Sequence, residues 1–365
     1  MPRRLGLVVL GVGGGHVTQA CQAIRRLTSS GDYSVERLLI FPARNVEAHL
    51  AELQRVLPLD QYPRAIQVVS SQALEWITDR ILQSPEGLEK DLAKAVMAME
   101  AIGDVFAPFV VHKLSCQVDI WLHFMPFLVD ALSLQPLLRT TPSVYIAHTF
   151  YDDFHKGYRL LSQCLRTLAG NVHRIYMRPR IGERSIAPLM DTRHIERAQA
   201  PLHMKRARPE PPEILVYATS YGEALQRLVL QRIVPRYPDF SYTFVGPGWA
   251  HLEARHGLRV LGRMPRCELL TLMMRSSALL TTAGNEVLLE ARLLGLPVAA
   301  MAACSQAVEQ LDNLAYYEGL GYCSRLDEAL DLEAMARLSQ RPDTALLERI
   351  KRSGDDLCAL LDQLS

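Results

Sequence analysis

The sequence predicts an α/β protein made of two doubly wound, Rossmann-like domains. Its 365 residues exceed what one hydrophobic core usually supports, so two domains of ordinary size are expected. Short apolar runs typical of buried parallel strands alternate with helical segments in both halves, and a proline-rich segment separates the halves. Open α/β folds bind ligands outside the carboxyl ends of their strands, so we expect the two domains to face each other across a cleft.

The first predicted domain covers residues 1–204 and opens on a strand. Residues 5–10, Leu-Gly-Leu-Val-Val-Leu, form the continuous apolar run of a strand that is buried on both faces. A glycine-rich turn follows, and the spacing of apolar residues then predicts a helix over 18–27. Further strands are predicted over 120–124 and 143–148, which gives the alternation expected of a parallel sheet.

A linker is predicted over residues 205–212, because three closely spaced prolines oppose both a helix and a central strand. The second predicted domain, 213–344, shows a regular series of strands and helices. Its predicted strands are 213–218, 241–245, 258–261, 278–282 and 297–302, and its predicted helices are 222–235, 266–275, 285–294 and 306–318. The last segment, 345–365, is predicted to be a helix that packs back on the first domain.

Composition and charge exclude several classes of protein. Apolar residues make up 49% of the chain and charged residues 22%, which is a globular composition. A net charge of +1 gives no global reason to expect a nucleic-acid partner. The seven cysteines lack Cys-x-x-Cys spacing, so we expect neither a disulfide framework nor a zinc site and predict a cytoplasmic protein. No apolar run approaches the roughly 20 residues of a membrane-spanning helix, so no transmembrane segment is expected.

One local excess of positive charge lies between residues 171 and 208, where nine basic residues face three acidic ones. Such a stretch can meet an anionic membrane surface, which would make any membrane contact peripheral. Because no bulky apolar anchors accompany these charges, we interpret the stretch as a solvated helix and linker.

The first candidate site is the glycine-rich turn 11–17, Gly-Val-Gly-Gly-Gly-His-Val, which follows the first strand. Its glycines, Gly15 among them, let backbone N–H groups and a helix N-terminus approach a diphosphate or a sugar. The turn lacks the ending of a P-loop and the third glycine of the dinucleotide fingerprint. His16 is its distinctive residue, because imidazole titrates near neutrality and can accept the proton of an attacking hydroxyl. The alternative is that His16 only caps or packs the tight turn.

The second candidate site is the sequence Thr-Thr-Ala-Gly-Asn-Glu at the end of a predicted strand. The strand end near Thr282 and the helix start after Gly284 aim several N–H groups and the positive end of the helix dipole at one point, where a phosphate fits. Further along this helix, Glu290 can accept hydrogen bonds from both hydroxyls of a ribose. The alternative is that Asn285 and Glu286 merely start the helix and that Glu290 lies on a solvated face.

The third candidate site is the pair Glu309 and Gln310, near the start of the predicted helix 306–318. Such a pair can hold sugar hydroxyls, because the acid accepts hydrogen bonds and the amide donates them. Alone the pair is uninformative, and its distance from Gly284 is what makes it a candidate.

A resemblance to GT-B glycosyltransferases, especially the UDP-sugar enzymes, is carried by the order Gly284, Glu290, Gly295-Leu296-Pro297, Glu309-Gln310 and Asn313. Within that group, the turn 11–17 is similar to the glycine-rich loop of the lipid-linked N-acetylglucosaminyltransferase of peptidoglycan synthesis and of the diacylglycerol glycosyltransferases. The resemblance implies an inverting hexosyltransferase whose co-substrate is a nucleotide sugar, with UDP-sugar as the expected donor. It implies no other cofactor, and the acceptor is an unidentified hydroxyl.

The resemblance also assigns roles to residues. His16 matches the catalytic residue placed near the acceptor hydroxyl, and His148 and His123 are predicted on the acceptor side. The predicted donor-binding residues are Gly15, Ser220, Gly222, Gly246, Arg263, Met264, Thr282, Gly284, Asn285, Glu286, Glu290, Glu309 and Gln310.

Within the donor set the roles differ. Ser220 and Gly222 match residues that touch the diphosphate. Arg263 and Met264 match residues that flank the base. Glu290 is implied to hold the ribose, and the third candidate site is implied to hold the sugar.

Some features depart from the family pattern. Thr282 stands where the plant-type enzymes have a histidine, so contact of an imidazole with phosphate is not available there. The acid that orients the catalytic histidine in those enzymes falls in the region of His123, which is not an acid. No Asp-x-Asp occurs in the sequence, so no metal ion is expected.

Two other functions fit the same residues. One is a nucleotide-sugar 2-epimerase or hydrolase of the same fold. The other is a catalytically inactive subunit that binds nucleotide sugars, against which the intact His16 argues. The acceptor stays open among small molecules, glycans and lipid-linked molecules, because a fold does not determine a substrate.

Overall fold

The computed structural model describes residues 2–10, 15–41, 50, 66–68, 117–124, 141–147, 172–179, 185–199, 211–218, 222–246, 249, 257–262, 264–303, 308–338 and 340–364. The chain divides into two units, the first comprising Met1–Met190 with Arg349–Ser365 and the second comprising Asp191–Glu348. Each unit is built around one sheet.

The sheet of the first unit has seven strands in the order β3-β2-β1-β4-β5-β6-β7, and each neighbouring pair is parallel. These strands are β1 (Arg3–Leu10), β2 (Tyr33–Phe41), β3 (Ile66–Val68), β4 (Ile120–His123), β5 (Ser143–Ala147), β6 (Val172–Met177) and β7 (Ser185–Ile186). The central position of β1 explains its continuous apolar run, since a parallel strand between two others is covered on both faces.

Helix α1 (Gly15–Ser29) follows β1, and its Ala20, Ile24 and Leu27 are buried in the core of this unit. The spacing of these residues is that of one apolar helix face. Gly6 of β1 pairs with Trp121 of β4, and a Cβ added at Gly6 would lie 2.4 Å from the Trp121 ring. The indole therefore requires glycine at this point of the strand.

The sheet of the second unit has six strands in the order β10-β9-β8-β11-β12-β13, with every neighbouring pair parallel. Its strands are β8 (Glu213–Tyr217), β9 (Ser241–Val245), β10 (Leu258–Leu261), β11 (Ala278–Thr282), β12 (Val298–Met301) and β13 (Ser324–Arg325). Counted within the unit, this is the order 3-2-1-4-5-6 of the doubly wound nucleotide-binding fold.

The helices of the second unit are α2 (Thr192–Gln199), α3 (Glu223–Leu228), α4 (Arg266–Arg275), α5 (Asn285–Leu294), α6 (Val308–Gly319) and α7 (Leu332–Arg337). Helix α3 continues through a π-helical turn, Val229–Ile233, into a last α-helical turn, Val234–Arg236. The predicted bounds of α4 and α5 are confirmed. Helix α5 ends at Gly295, whose φ of 65° is left-handed and favours glycine.

The boundary between the units differs from the predicted end of the first domain at residue 204. Helix α2 belongs to the second unit, and the Gln199 side chain donates a hydrogen bond of 2.7 Å to the carbonyl of Leu293 on α5. Most of the predicted linker lies outside the described residues. The basic stretch 171–208 also differs from its interpretation as a solvated helix and linker, because β6 runs through it and buries Ile175 and Met177.

The last helix, α8 (Thr344–Asp362), starts in the second unit and ends in the first. Its Leu357 and Leu361 are fully buried in the core that β1 and α1 form. The Tyr33 hydroxyl donates a hydrogen bond of 2.6 Å to Asp362 at the end of the helix. The last turns of α8 are therefore part of the core of the first unit.

Candidate functional site

The carboxyl edge of the second sheet presents the start of helix α5. Gly284 is the N-cap of this helix, with φ −74° and ψ 134°, and it supplies no side-chain cap to the first turn. The Gly284 N–H itself donates to the carbonyl of Thr282 at 2.7 Å, which closes the turn after β11. A helix start of this kind carries partial positive charge and directs N–H groups outward, so it can bind an anion.

Helix α6 fixes the loops that follow β11 and β12. The Asn313 amide donates a hydrogen bond of 3.0 Å to the carbonyl of Ala283, and the buried Tyr317 hydroxyl donates to the Asn285 side-chain oxygen. The Gln310 side-chain oxygen accepts a hydrogen bond of 2.7 Å from the backbone N–H of Ala303. Because the oxygen of this amide is engaged, its NH₂ group is the end that can donate to a ligand. The donating role predicted for Gln310 stays a prediction.

Three glycines of this edge were predicted to bind the donor, and the structure gives two of them another reason to be glycine. A Cβ added at Gly246, where φ is 140°, would lie 2.1 Å from the carbonyl oxygen of Ala218. A Cβ added at Gly222 would lie 3.0 Å from the Trp249 ring. At Gly284, by contrast, the nearest described atom is Val287 Cγ1 at 3.7 Å, an ordinary contact distance. Within the described residues, packing therefore accounts for Gly222 and Gly246 but not for Gly284.

Glu290 is buried, with its side chain only 7% exposed, so it does not lie on a solvated face. Its carboxylate is held by Arg266, the first residue of α4. Arg266 Nε donates to one carboxylate oxygen at 2.7 Å, and Arg266 Nη2 donates to the other. This is the bidentate fork that arginine forms with carboxylates. The carboxylate that was predicted to hold the ribose is therefore already paired with Arg266.

The pair belongs to a larger polar cluster that includes Tyr217, at the end of β8, and Glu286, one turn before Glu290. Burial raises the pKa of Tyr217, and the positive charge of Arg266 opposes that rise. Burial lowers the pKa of Arg266, but the negative charges of Glu290 and Glu286 outweigh burial and raise it. Arg266 is therefore a permanent cation that links α4, α5 and the end of β8.

An open groove of about 390 Å³ lies between the end of β10 and the first turns of α4, the helix that starts at Arg266. Met264, which was predicted to flank the base, lines the groove together with Arg259 and Leu261. The thiol-bearing residue Cys267 also lines it and is exposed. Its lining combines apolar and charged side chains.

In the first unit, His16 is the second residue of α1 and is half-buried. Burial lowers the pKa of its imidazole from 6.5 to about 4. The imidazole is therefore neutral at pH 7, which is the state that can accept a proton. His123 is different, because it ends β4 with a fully buried side chain. Its burial contradicts the predicted position on the acceptor side, where contact with a ligand requires exposed atoms.

Neither a family model nor a curated protein matches this sequence. Solved structures do match, over nearly the whole chain. The glycotransferase of kitacinnamycin superposes with a TM-score of 0.61 at 16% identity, covering 100% of this chain and 99% of the other. Arabidopsis thaliana UGT89C1 complexed with UDP-L-rhamnose gives 0.62 at 14% identity, with 100% and 99% covered. The fold is GT-B. CalG4, the calicheamicin glycosyltransferase, gives 0.57 at 16% identity, with 98% and 94% covered.

These comparisons support the predicted GT-B fold but not the narrower resemblance to the peptidoglycan and diacylglycerol enzymes. The narrower resemblance depended on the turn 11–17, of which the structure describes Gly15, His16 and Val17. A short glycine-rich turn before a helix is compatible with many phosphate-binding folds, so it discriminates poorly between subgroups.

The second unit of this GT-B chain holds Gly284, Asn285 and Gln310. It also holds the paired side chains of Arg266 and Glu290. His16 belongs to the other unit, and its convergence with these residues stays a prediction. Thr282 is buried at the end of β11. Ser220, Arg263, His148 and the Glu309 side chain lie outside the described residues.

Arg266 and Tyr217 are the residues of this GT-B site that sequence reasoning missed. Arg266 lies 24 positions before Glu290, and no helix or strand period connects the two. The only sequence signal is the position of each: Tyr217 ends a predicted strand and Arg266 starts a predicted helix on the same side of the sheet.

No helix within the described ranges is both long enough and apolar enough to cross a lipid bilayer. Among the residues that the structure describes, no three His, Cys, Asp or Glu side chains are grouped so as to hold a metal ion.

Proposed function

We propose that this protein is an inverting glycosyltransferase that moves a hexose from a nucleoside diphosphate donor, with UDP as the nucleotide, to a hydroxyl of a small molecule. The observation that carries the proposal is the start of helix α5. This helix belongs to the second unit of a GT-B fold, and its N-cap residue is a glycine. Packing against described residues does not require glycine at this position. A ligand that comes close to the backbone explains such a glycine.

In the donor half of the reaction, the diphosphate binds at the N-terminus of α5. The helix dipole and the N–H groups of the first turn stabilise the negative charge that builds up on the leaving diphosphate. The Gln310 amide donates to a sugar hydroxyl, while its oxygen stays on the Ala303 N–H. The absence of Asp-x-Asp from the sequence supports a reaction that proceeds without a metal ion.

In the acceptor half, His16 accepts the proton of the acceptor hydroxyl. The hydroxyl oxygen attacks the anomeric carbon, the bond from that carbon to the diphosphate oxygen breaks, and the sugar is transferred with inversion. A positioned base of this kind contributes roughly 10²- to 10⁴-fold in rate. The lowered pKa of His16 supports this role, because the imidazole enters the reaction unprotonated.

A small-molecule acceptor is proposed on the strength of the structural neighbours. UGT89C1 has been crystallised with quercetin, and the spinosyn rhamnosyltransferase SpnG with a spinosyn aglycone. Their GT-B scaffolds match 98% and 99% of this chain, respectively. We also propose a cytoplasmic location, which is supported by the free thiols of Cys21, Cys267, Cys323 and Cys358.

The test of donor binding is a thermal-shift and calorimetric comparison of UDP, dTDP and GDP and their hexose conjugates. We expect a uridine or thymidine diphosphate to raise the melting temperature and GDP to leave it unchanged, because selective ligands stabilise by mass action. Lack of binding by all three diphosphates would refute the nucleotide-sugar function.

Transfer is then separated from epimerisation and hydrolysis by incubating the protein with UDP-N-acetylglucosamine alone and with a panel of phenolic and macrolide acceptors. A transferase leaves the donor intact without acceptor and forms a glycoside with one of the acceptors. Rapid epimerisation, or stoichiometric hydrolysis without acceptor, would contradict the transferase assignment. Binding without any turnover in either arm would indicate an inactive subunit.

A further inference from the structure

The fork between Arg266 and Glu290 bears on which nucleotides the donor site accepts. We propose that this site does not discriminate between ribose and 2′-deoxyribose, because Arg266 occupies both oxygens of the carboxylate that would otherwise read the ribose diol. The site would therefore take UDP-sugars and 2′-deoxyribonucleoside diphosphate sugars alike. This inference rests on the proposed function, since it concerns the donor of that same reaction.

Glu290 has little capacity left to accept hydrogen bonds from a ligand. Recognition of two vicinal hydroxyls by one carboxylate requires that both oxygens face the ligand with free lone pairs. Here each oxygen already accepts from the guanidinium, and the Glu290 side chain is only 7% exposed. Its remaining lone pairs therefore face protein rather than solvent. Arg266 is the more exposed partner, at 33%, so the accessible surface of the pair belongs mostly to the arginine side chain and not to the carboxylate.

The pair of Arg266 and Glu290 is also difficult to separate. Arg266 is held by both oxygens of Glu290, and the negative charge of Glu286 further stabilises the cation. Releasing Glu290 for a ribose requires the guanidinium to leave this cluster, which strands a buried carboxylate without its counter-charge. Breaking a buried pair in this way is strongly unfavourable. Nucleotide binding therefore proceeds with the fork intact.

The positions of the two fork residues relate the fork to the open groove and to Gly284. Arg266 follows Met264 by two residues, at the start of the helix that borders the open groove, and Glu290 lies on the helix that starts after Gly284. A nucleotide whose base occupies the groove and whose diphosphate meets Gly284 places its pentose against the fork. The group that lies nearest the 2′ position is then the guanidinium, and loss of the 2′-hydroxyl removes no contact to a carboxylate.

The experiment compares the dissociation constants of UDP and 2′-deoxyuridine diphosphate, measured by calorimetry on the full chain. For the wild-type protein we expect the two constants to agree within about threefold, since no charged hydrogen bond to the 2′-hydroxyl is lost. In Arg266→Leu, Glu290 is freed from the fork, and UDP should then bind about tenfold or more tightly than its deoxy analogue. Arg275→Leu, at the exposed end of the same helix, is the matched control and should keep the wild-type ratio.

A wild-type preference for UDP of tenfold or more that disappears in Glu290→Gln would overturn the inference, because Glu290 would then be reading the ribose. The wild-type protein and Glu290→Gln suffice for this decision if Arg266→Leu does not fold. A ratio near one in both supports the inference. If neither nucleotide binds, the proposed nucleotide-sugar function itself fails and the inference fails with it, which is distinguishable from a failure of the fork argument alone.

Discussion

Helices α1 and α5 both start on the carboxyl side of a strand, one in each unit, and each has a titratable residue at its second position. In α1 this residue is His16, and in α5 it is Glu286. A helix N-terminus disfavours a cation and favours an anion, so it keeps an imidazole neutral and a carboxylate charged. Burial acts on His16 in the same direction and lowers its pKa to about 4. Similar backbone geometry thus provides a neutral base in one unit and a charged cluster in the other.

The two helix starts therefore suit different tasks. At α5, the carboxylates of Glu286 and Glu290 would repel a diphosphate if they were left uncompensated, and the positive charge of Arg266 compensates them. At the start of α1, the imidazole of His16 is neutral and needs no counter-charge. We therefore expect changes at α1 to affect the chemical step and changes at α5 to affect donor binding.

The largest expected effect comes from His16→Ala. If the imidazole takes the acceptor proton, turnover should fall by roughly 10²- to 10⁴-fold, while the dissociation constant of the donor changes by less than about twofold. Steady-state kinetics and calorimetry on the same variant measure both quantities. Equal losses in turnover and donor affinity would give His16 a structural role, and the contrast between the two helix starts would disappear.

A smaller effect is expected from Gly284→Ala. The added methyl group finds only Val287 Cγ1 at 3.7 Å, so the free energy of unfolding should change by less than about 1 kcal/mol. Donor affinity should nevertheless fall by about tenfold, because the methyl group occupies the space where a diphosphate approaches the backbone. Urea unfolding and calorimetry separate the two outcomes.

Two other glycines serve as controls for that experiment. Gly319→Ala, where nothing described lies within 4 Å of the added atom, should leave both stability and donor affinity unchanged. Gly246→Ala should cost about 2 kcal/mol or more of stability, because its φ of 140° and the Ala218 carbonyl both exclude a side chain. Unchanged donor affinity in Gly284→Ala would remove the observation on which the proposed function depends.

The smallest expected effect is that of pH on kcat/KM. His16 can act as a base only while its imidazole is unprotonated. Because its pKa is about 4, protonation occurs well below neutral pH. We expect kcat/KM to stay within about twofold from pH 8 to pH 5 and to fall about tenfold per pH unit below about 4. An acid limb near 6.5 in the pH profile would mean that burial does not shift this imidazole.

Regular elements with apolar runs were predicted closely from the sequence. Helix α5 has its predicted bounds because Gly284 and Gly295 mark its ends and apolar residues fill its buried face. Strands β9, β10 and β11 likewise match their predicted residues. Strand β6 was missed because the basic residues around it resemble a solvated segment, whereas burial of Ile175 and Met177 is decided by neighbours that are distant in sequence.

The candidate site was predicted only in part, for a related reason. Gly284 could be proposed because it lies between a strand end and a helix start, and Gln310 because of its distance from Gly284. The fork between Arg266 and Glu290 could not, since it is a tertiary contact between two helices with no shared period. His123 shows the opposite error: the end of a strand is a good place for a ligand contact, but burial by neighbouring strands decides whether the side chain reaches one.

The path of helix α8 has a consequence for how this protein is made. Leu357 and Leu361 complete the core that β1 and α1 begin, and Tyr33 is tied to Asp362. During synthesis the ribosome delivers the amino-terminal sheet first, yet its last apolar partners emerge only after the entire second unit has been translated. The second unit can therefore acquire its native packing on the ribosome, whereas the first must wait until residue 361 has left the exit tunnel.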